Sequence, residues 1–231
     1  MEVAHGRTNG VHSAHKGSVA DHVEALGGEP EPTCLNAAYT LGKIGEPALP
    51  ALIETLHDES EAVQRNASYA LRAIGDPAVA DLITALDDGN EGVRASAVDV
   101  LGDMVSPAQE AISTLIKALQ DESEAVRRCA AEGLGIIRQS PSTTVPALAG
   151  ALDDPDKWVR RNTSLALARI GSDSEDAIPT LKAALKDENR YVRANAAHAL
   201  HRIGTPKATA FLMRFLTTSR WCSSTTPQSA Y

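Results

Sequence analysis

Aromatic residues make up only 3% of this chain, too few for the aromatic and β-branched filling typical of a β-sandwich. A core must therefore be built from Ala, Leu, Ile and Val, which suits closely packed helices. Cysteine is also scarce. Cys34, Cys129 and Cys222 are odd in number and far apart, which argues against a disulfide framework or a zinc-knuckle spacing and fits a reducing cytoplasm. No apolar run approaches the roughly eighteen residues needed to cross a bilayer, so no membrane anchor is expected. The first thirty residues lack the apolar core and cleavage site of a secretory signal, and export is not expected.

Charge of one sign is missing from neither half, but its balance shifts along the chain. Residues 1–125 carry a net −14 and residues 126–231 a net +6, for a total of −8. Such a split bears on partners and long-range field rather than on fold. The overall acidity weighs against extended nucleic-acid binding.

What the sequence has in abundance is repetition. The stretch "VRANAAHALHRIG" from Val192 returns as "VRRNTSLALARIG" from Val159, "VRRCAAEGLGIIR" from Val126, "VRASAVDVLGDMV" from Val93 and "VQRNASYALRAIG" from Val63. Successive valines lie 30, 33, 33 and 33 residues apart, a period that means stacked supersecondary units. Within a copy, Val63, Ala67, Ala70, Leu71 and Ile74 fall on one helical stripe. A second amphipathic pattern precedes each, as in Leu49, Leu52, Ile53 and Leu56, so each unit reads as a helical hairpin. Pro47, Pro77, Pro107 and Pro206 stand where first helices should start, and Gly45, Gly75, Gly171 and Gly204 where second helices should end.

Val19, Val23 and Leu26 extend the template by one degenerate unit, with His22 in a core column and Gly27, Gly28, Pro30 and Pro32 in its connection. The expected architecture is all-α: a right-handed α-solenoid of about six hairpins over residues 17–217, closed by a helix from Pro206 to about Thr217. Residues 1–16 and 218–231 are polar and aperiodic and are expected to be flexible segments.

The pattern "AL.D" followed by "VR..AA.AL..IG" resembles HEAT repeats of the phycobilisome-lyase HEAT-like type, over residues 17–217. That resemblance implies a range of roles, from bilin lyase subunits and di-iron hydroxylases to adaptors and domains appended to enzymes. The hydroxylases of this type hold iron through His-Glu dipeptides, and this sequence contains none.

Asp88 with Arg94, Asp121 with Arg127, Asp154 with Arg160 and Asp187 with Arg193 are always six apart. The Asp is placed to cap the second helix, and the Arg to reach the neighbouring repeat's Asp. Gln64 breaks the series in the first copy. The variable positions of the second helices are the place for specificity. They give Arg65, Tyr69 and Arg72; Asp99 and Asp103; Arg128 and Glu132; Arg161, Leu165 and Arg169; and His198, His201 and Arg202. Asn36, Asn66, Asn162 and Asn195 fill one flank.

No nucleophile, base and orienting group recur together. His198 and His201 share a face but lack further ligands nearby, so no metal and no other cofactor is expected. His5, His12 and His15 are assigned to the flexible start. Trp158 and Tyr191 stand where other copies have Ala62, Gly92 and Ala125, close to several arginines. Trp158, Arg161, Arg169, Tyr191, His198, His201 and Arg202 are therefore the candidate contact surface of a monomeric, cytoplasmic scaffold or adaptor, for an acidic or phosphate-bearing protein partner. An enzyme subunit, an accessory domain of a catalytic assembly and an anion or nucleic-acid binder are the competing readings.

Overall fold

A computed structural model describes residues 17–28, 31–104 and 109–218. The segments 1–16 and 219–231, with His5, His12, His15 and Cys222, lie outside the described residues, as do Pro30 and Pro107. The described chain is helical, without strands. Its contacts divide it into two compact units, one ending at Ile74 and the other beginning at Gly75.

The first unit holds two hairpins. α1 (Val19–Glu24) continues through a short 3-10 turn into α2 (Glu31–Ile44), and α3 (Leu49–Thr55) is followed by α4 (Glu61–Ile74). The second unit holds four: α5 (Val79–Ala85) with α6 (Glu91–Gly102), α7 (Gln109–Ala118) with α8 (Glu124–Ile137), α9 (Pro141–Ala151) with α10 (Lys157–Ile170), and α11 (Ile178–Ala184) with α12 (Arg190–Ile203). α13 (Pro206–Thr218) closes it. Six hairpins and a closing helix match the count read from the repeat.

The periodic stripe forms the core. Val126, Ala130 and Leu134 of α8, Val159, Ala166 and Leu167 of α10, and Val192, Ala196 and Leu200 of α12 are all buried. Small residues let these second helices approach closely. A Cβ on Gly102 would lie 2.6 Å from the Cα of Gly133, and one on Gly135 would lie 2.6 Å from the Cα of Ala166. No side chain fits at either position, so α6, α8 and α10 pack backbone to backbone. In the first unit a Cβ on Gly42 would lie 2.6 Å from the Cβ of Ala73, so there the α2 backbone packs against a methyl of α4.

Three details differ from the sequence reading. Pro47 and Pro77 sit in 3-10 turns ahead of α3 and α5, which start at Leu49 and Val79. The glycines before these turns, Gly45 and Gly75, have φ of 78° and 75°, a conformation that a Cβ opposes. Pro32 belongs to α2 rather than to the connection before it. The repeated Asp is not the helix cap: its carboxylate accepts the backbone N–H two residues on, as Asp154 does from Asp156 at 2.8 Å. The caps are those later residues, Asn90, Asp156 and Asn189, whose side chains accept the first free helical N–H groups. The physical reason is an Asx turn, which a leading Asp forms with its own loop before the helix begins.

Candidate functional site

The second helices of the second unit are held in register by a ladder of arginines. Arg94 Nε and Nη2 donate to the two carboxylate oxygens of Asp121 at 2.9 and 3.0 Å. Arg127 does the same to Asp154 at 2.7 and 3.0 Å, and Arg160 to Asp187 at 2.7 and 3.3 Å. In each case Nη1 turns back to the carbonyls of the arginine's own loop. One guanidinium thus closes its own turn and grips the next repeat, a bidentate pairing that Lys cannot make. The sequence reading of these pairs as structural is what the geometry shows.

The ladder is electrostatically tight. The Asp121 and Asp154 carboxylates hold the Arg94 and Arg127 guanidinium pKa values above their ordinary value. Burial works against the charged form of Asp121 and Asp187, yet hydrogen bonds from Arg94 and Arg160 and from the following backbone N–H groups outweigh it, and both carboxyls sit below their ordinary value.

The asparagine flank is structural as well. Asn66 Nδ2 donates to the Leu26 carbonyl at 2.9 Å and Asn195 Nδ2 to the Arg161 carbonyl at 3.2 Å, while Asn162 bonds Glu132. Asn162 and Asn195 thus tie neighbouring second helices together, and Asn66 ties α4 to the 3-10 turn after α1.

Beyond these staples, α8, α10 and α12 present a groove of about 420 Å³ lined by Gly135, Ile136, Arg138, Leu165, Ala168, Arg169, His198 and Arg202. Three guanidinium-bearing residues and one imidazole converge there, with an apolar floor and no acidic lining residue. Arg169 and Arg202 lie in the last turns of α10 and α12, and Arg138 follows α8 directly. Helix C-termini favour cations, which accounts for each arginine separately. Their convergence follows from the parallel packing of three second helices.

The sequence-selected residues separate into three groups. Arg169, His198 and Arg202 share the groove. Trp158 and Tyr191 are exposed in the first turns of α10 and α12, on the same helical faces that lead to Leu165 and His198 at the groove. Each ring is covered by cations of its own helix. Lys157 Nζ and Arg161 Cζ lie 5.7 and 5.8 Å from the Trp158 ring centre, and Arg190 Cζ lies 4.7 Å from that of Tyr191. His201 is exposed on α12 but does not line the groove.

Arg138 and Ile136 were not among the residues picked from the sequence. Arg138 falls past the end of the helical template, at φ 51°, so a search along helical columns stops short of it. The exposed Leu35 and Tyr39 of α2 were missed too, because the degenerate α1–α2 unit lacks the anchoring valine. Among the described residues no group of three His, Cys, Asp or Glu side chains is placed to hold a metal ion. Cys129, on α8, is mostly enclosed, and burial pushes its thiol up to about 11, which disfavours the reactive thiolate. No helix among the described residues is long and apolar enough to cross a membrane.

Comparison with known proteins agrees with this architecture. A family model described as HEAT repeats matches residues 20–88, 79–168 and 144–222. Among solved structures, the complex of CpcE and CpcF of phycocyanin lyase from Nostoc sp. PCC7120 is similar at 28% identity and a TM-score of 0.59, over 66% of this chain and 98% of that one. A designed armadillo repeat protein is similar at 25% identity and a TM-score of 0.50, over 80% of this chain and 100% of that one. Another, solved in complex with the peptide (KR)4, shares the fold at 24% identity and a TM-score of 0.52, over 81% of this chain and 100% of that one. No curated protein gives a significant sequence match. The chain belongs to the HEAT-repeat family.

Proposed function

We propose that this HEAT-repeat chain is a non-catalytic scaffold or adaptor that binds an acidic or phosphate-bearing segment of a protein partner along α8, α10 and α12. The observation that carries this reading is the groove in which Arg138, Arg169, His198 and Arg202 converge over Ile136 and Leu165. Guanidinium groups pair bidentately with carboxylates and phosphates, and the apolar floor suits a neighbouring aliphatic side chain. Trp158, Arg161 and Tyr191 extend the surface along the same helices, with His201 beside it.

Similarity to a lyase structure that is itself a complex of two chains supports a protein partner. It also favours the phycobilisome-lyase type among HEAT repeats, in which case the chain works in association with another subunit. The repeat module spans residues 17–217, is monomeric by itself and works in the cytoplasm, without cofactor. The net charge of −8 opposes wrapping a nucleic acid.

The test is fluorescence anisotropy with a dye-labelled Glu-rich peptide, with a Lys-rich peptide for comparison. Binding of the acidic peptide should weaken with salt and fall roughly tenfold or more in Arg169→Glu and Arg202→Glu. Trp158→Ala and Arg161→Glu should have smaller effects. Glu54→Ala, on α3, is the control. Equal losses in the control and the groove variants, all folded, would place the contact elsewhere.

A further inference from the structure

The arginine ladder has an open end. Three rungs show what its guanidinium groups select: Nη1 is anchored to two carbonyls of its own turn, and the Nε/Nη2 edge receives an Asp carboxylate. Arg193 is the fourth member and is anchored in the same way, with Nη1 2.6 Å from the Asp187 carbonyl and 2.9 Å from that of Glu188. The anchor fixes the guanidinium plane as in the other rungs. Among the described residues, however, its Nε/Nη2 edge meets no carboxylate.

Residues 189–231 contain no Asp or Glu to fill it, and they carry six Lys or Arg. Position 220, thirty-three residues after Asp187, where the period calls for the next Asp, is an arginine.

We infer that the Nε/Nη2 edge of Arg193 is a docking point for an Asp carboxylate in the helix-entry turn of a different protein chain. The rungs specify such a turn. The accepted carboxylate is one whose Oδ1 already takes the N–H two residues on, as Asp121 does from Ser123 and Asp187 from Asn189. That turn holds the carboxylate still, which lowers the ordering cost of pairing. A second copy stacked end to end does not offer it. In the first hairpin the residue thirty before Asp58 is Gly28. The cations of α12 and α13, among them Arg190, Arg202 and Lys207, attract an acidic partner to this end of the second unit. The inference concerns the loop edge of α12 and stands apart from the groove.

The probe is a dye-labelled, alanine-rich helical peptide that begins Asp-Glu-Asn, titrated with the full chain at low salt. The decisive variant is Arg193→Gln. A glutamine keeps the turn closed, since Gln64 holds the Asp58 carbonyl at 2.6 Å in α4, but it lacks the bidentate edge. Arg193→Gln should weaken binding about tenfold, the size of a charge-assisted pair. Changing the probe's Asp to Asn should do the same, and the two changes together should cost no more than either alone. Arg169→Glu should leave the probe's affinity less affected than Arg193→Gln does. The inference is overturned if the wild type does not bind, if Arg193→Gln binds as the wild type does, or if the Asn probe binds equally well. It is also overturned if Arg169→Glu abolishes binding while Arg193→Gln does not. Self-association of the chain that Arg193→Gln removes would make the occupant a second copy, and would overturn it as well.

Discussion

In α4 the first residue after the stripe's leading valine is Gln64, and in α6, α8, α10 and α12 it is an arginine. Gln64 closes its own turn through one bond to the Asp58 carbonyl. Arg94, Arg127 and Arg160 close theirs and also grip the carboxylate of the following repeat. Within the first unit the second helices are joined instead by the approach of Gly42 to Ala73, and Asn66 reaches the Leu26 carbonyl. A single helical template is therefore held together in two ways, and in the second unit the pairs of Arg94, Arg127 and Arg160 form an ionic spine running from repeat to repeat. In solenoids, where each repeat touches only its neighbours, such links decide how far a local defect spreads.

The largest effect that separates the two units should come from Leu134→Asp. Leu134 is 1% exposed in the core of α8, and a carboxylate there has no partner, so a loss of about 4 kcal/mol or more is expected. Hydrogen exchange should show lost protection in α6 through α10, with α2 and α4 largely retained. Uniform loss in all repeats would show that the molecule unfolds as one cooperative block and that the comparison has no energetic content.

A sharper probe is Arg127→Ala set against Gln64→Ala. Arg127 is mostly buried against Asp154, and its removal leaves that carboxylate only the Asp156 N–H and frees two turn carbonyls. A loss of about 3 kcal/mol is expected, near the lower range for breaking an enclosed pair. Gln64→Ala removes one exposed hydrogen bond, for about 1 kcal/mol or less. Urea unfolding measures both. Similar losses would mean that the ladder contributes only turn closure.

The helices and the ladder were legible because both follow from chain-local rules repeated at a fixed period. Val126, Val159 and Val192 recur at 33 residues, and so do Arg127, Arg160 and Arg193, so one correct copy explains the rest. The groove was legible only in part. Arg169, His198 and Arg202 lie within the helical columns, whereas Arg138 joins them from beyond a helix end, by a left-handed backbone that no periodicity encodes. The asparagine flank looked like a lining of the inner wall. The Asn162 and Asn195 amides proved to bond the neighbouring second helix, which stands close, as Gly135 against Ala166 shows for α8 and α10. Sequence spacing shows which side chains share a face but not how near the next helix stands.

The smallest expected difference is in acid. Asp121 and Asp187 have folded-state carboxyl pKa values below the ordinary 3.8, after hydrogen bonds from Arg94 and Arg160 offset the effect of burial. A depressed folded value means that the unfolded chain binds the proton more readily, so these groups stabilise the fold above the ordinary value and lose that contribution as pH falls through the folded one. In the first unit the lowered carboxyl is that of Asp21, which is exposed and accepts the Ser18 backbone N–H at the start of α1. Acidification from about pH 5 through the ordinary carboxylate range should therefore erode amide protection in α6 through α12 more steeply than in α2 and α4. In Asp121→Asn the second unit should begin less stable, and its pH dependence should fall by about one proton's worth of slope at most. The same profile in both units, unchanged by Asp121→Asn, would show that acid acts through overall charge and not through the ladder.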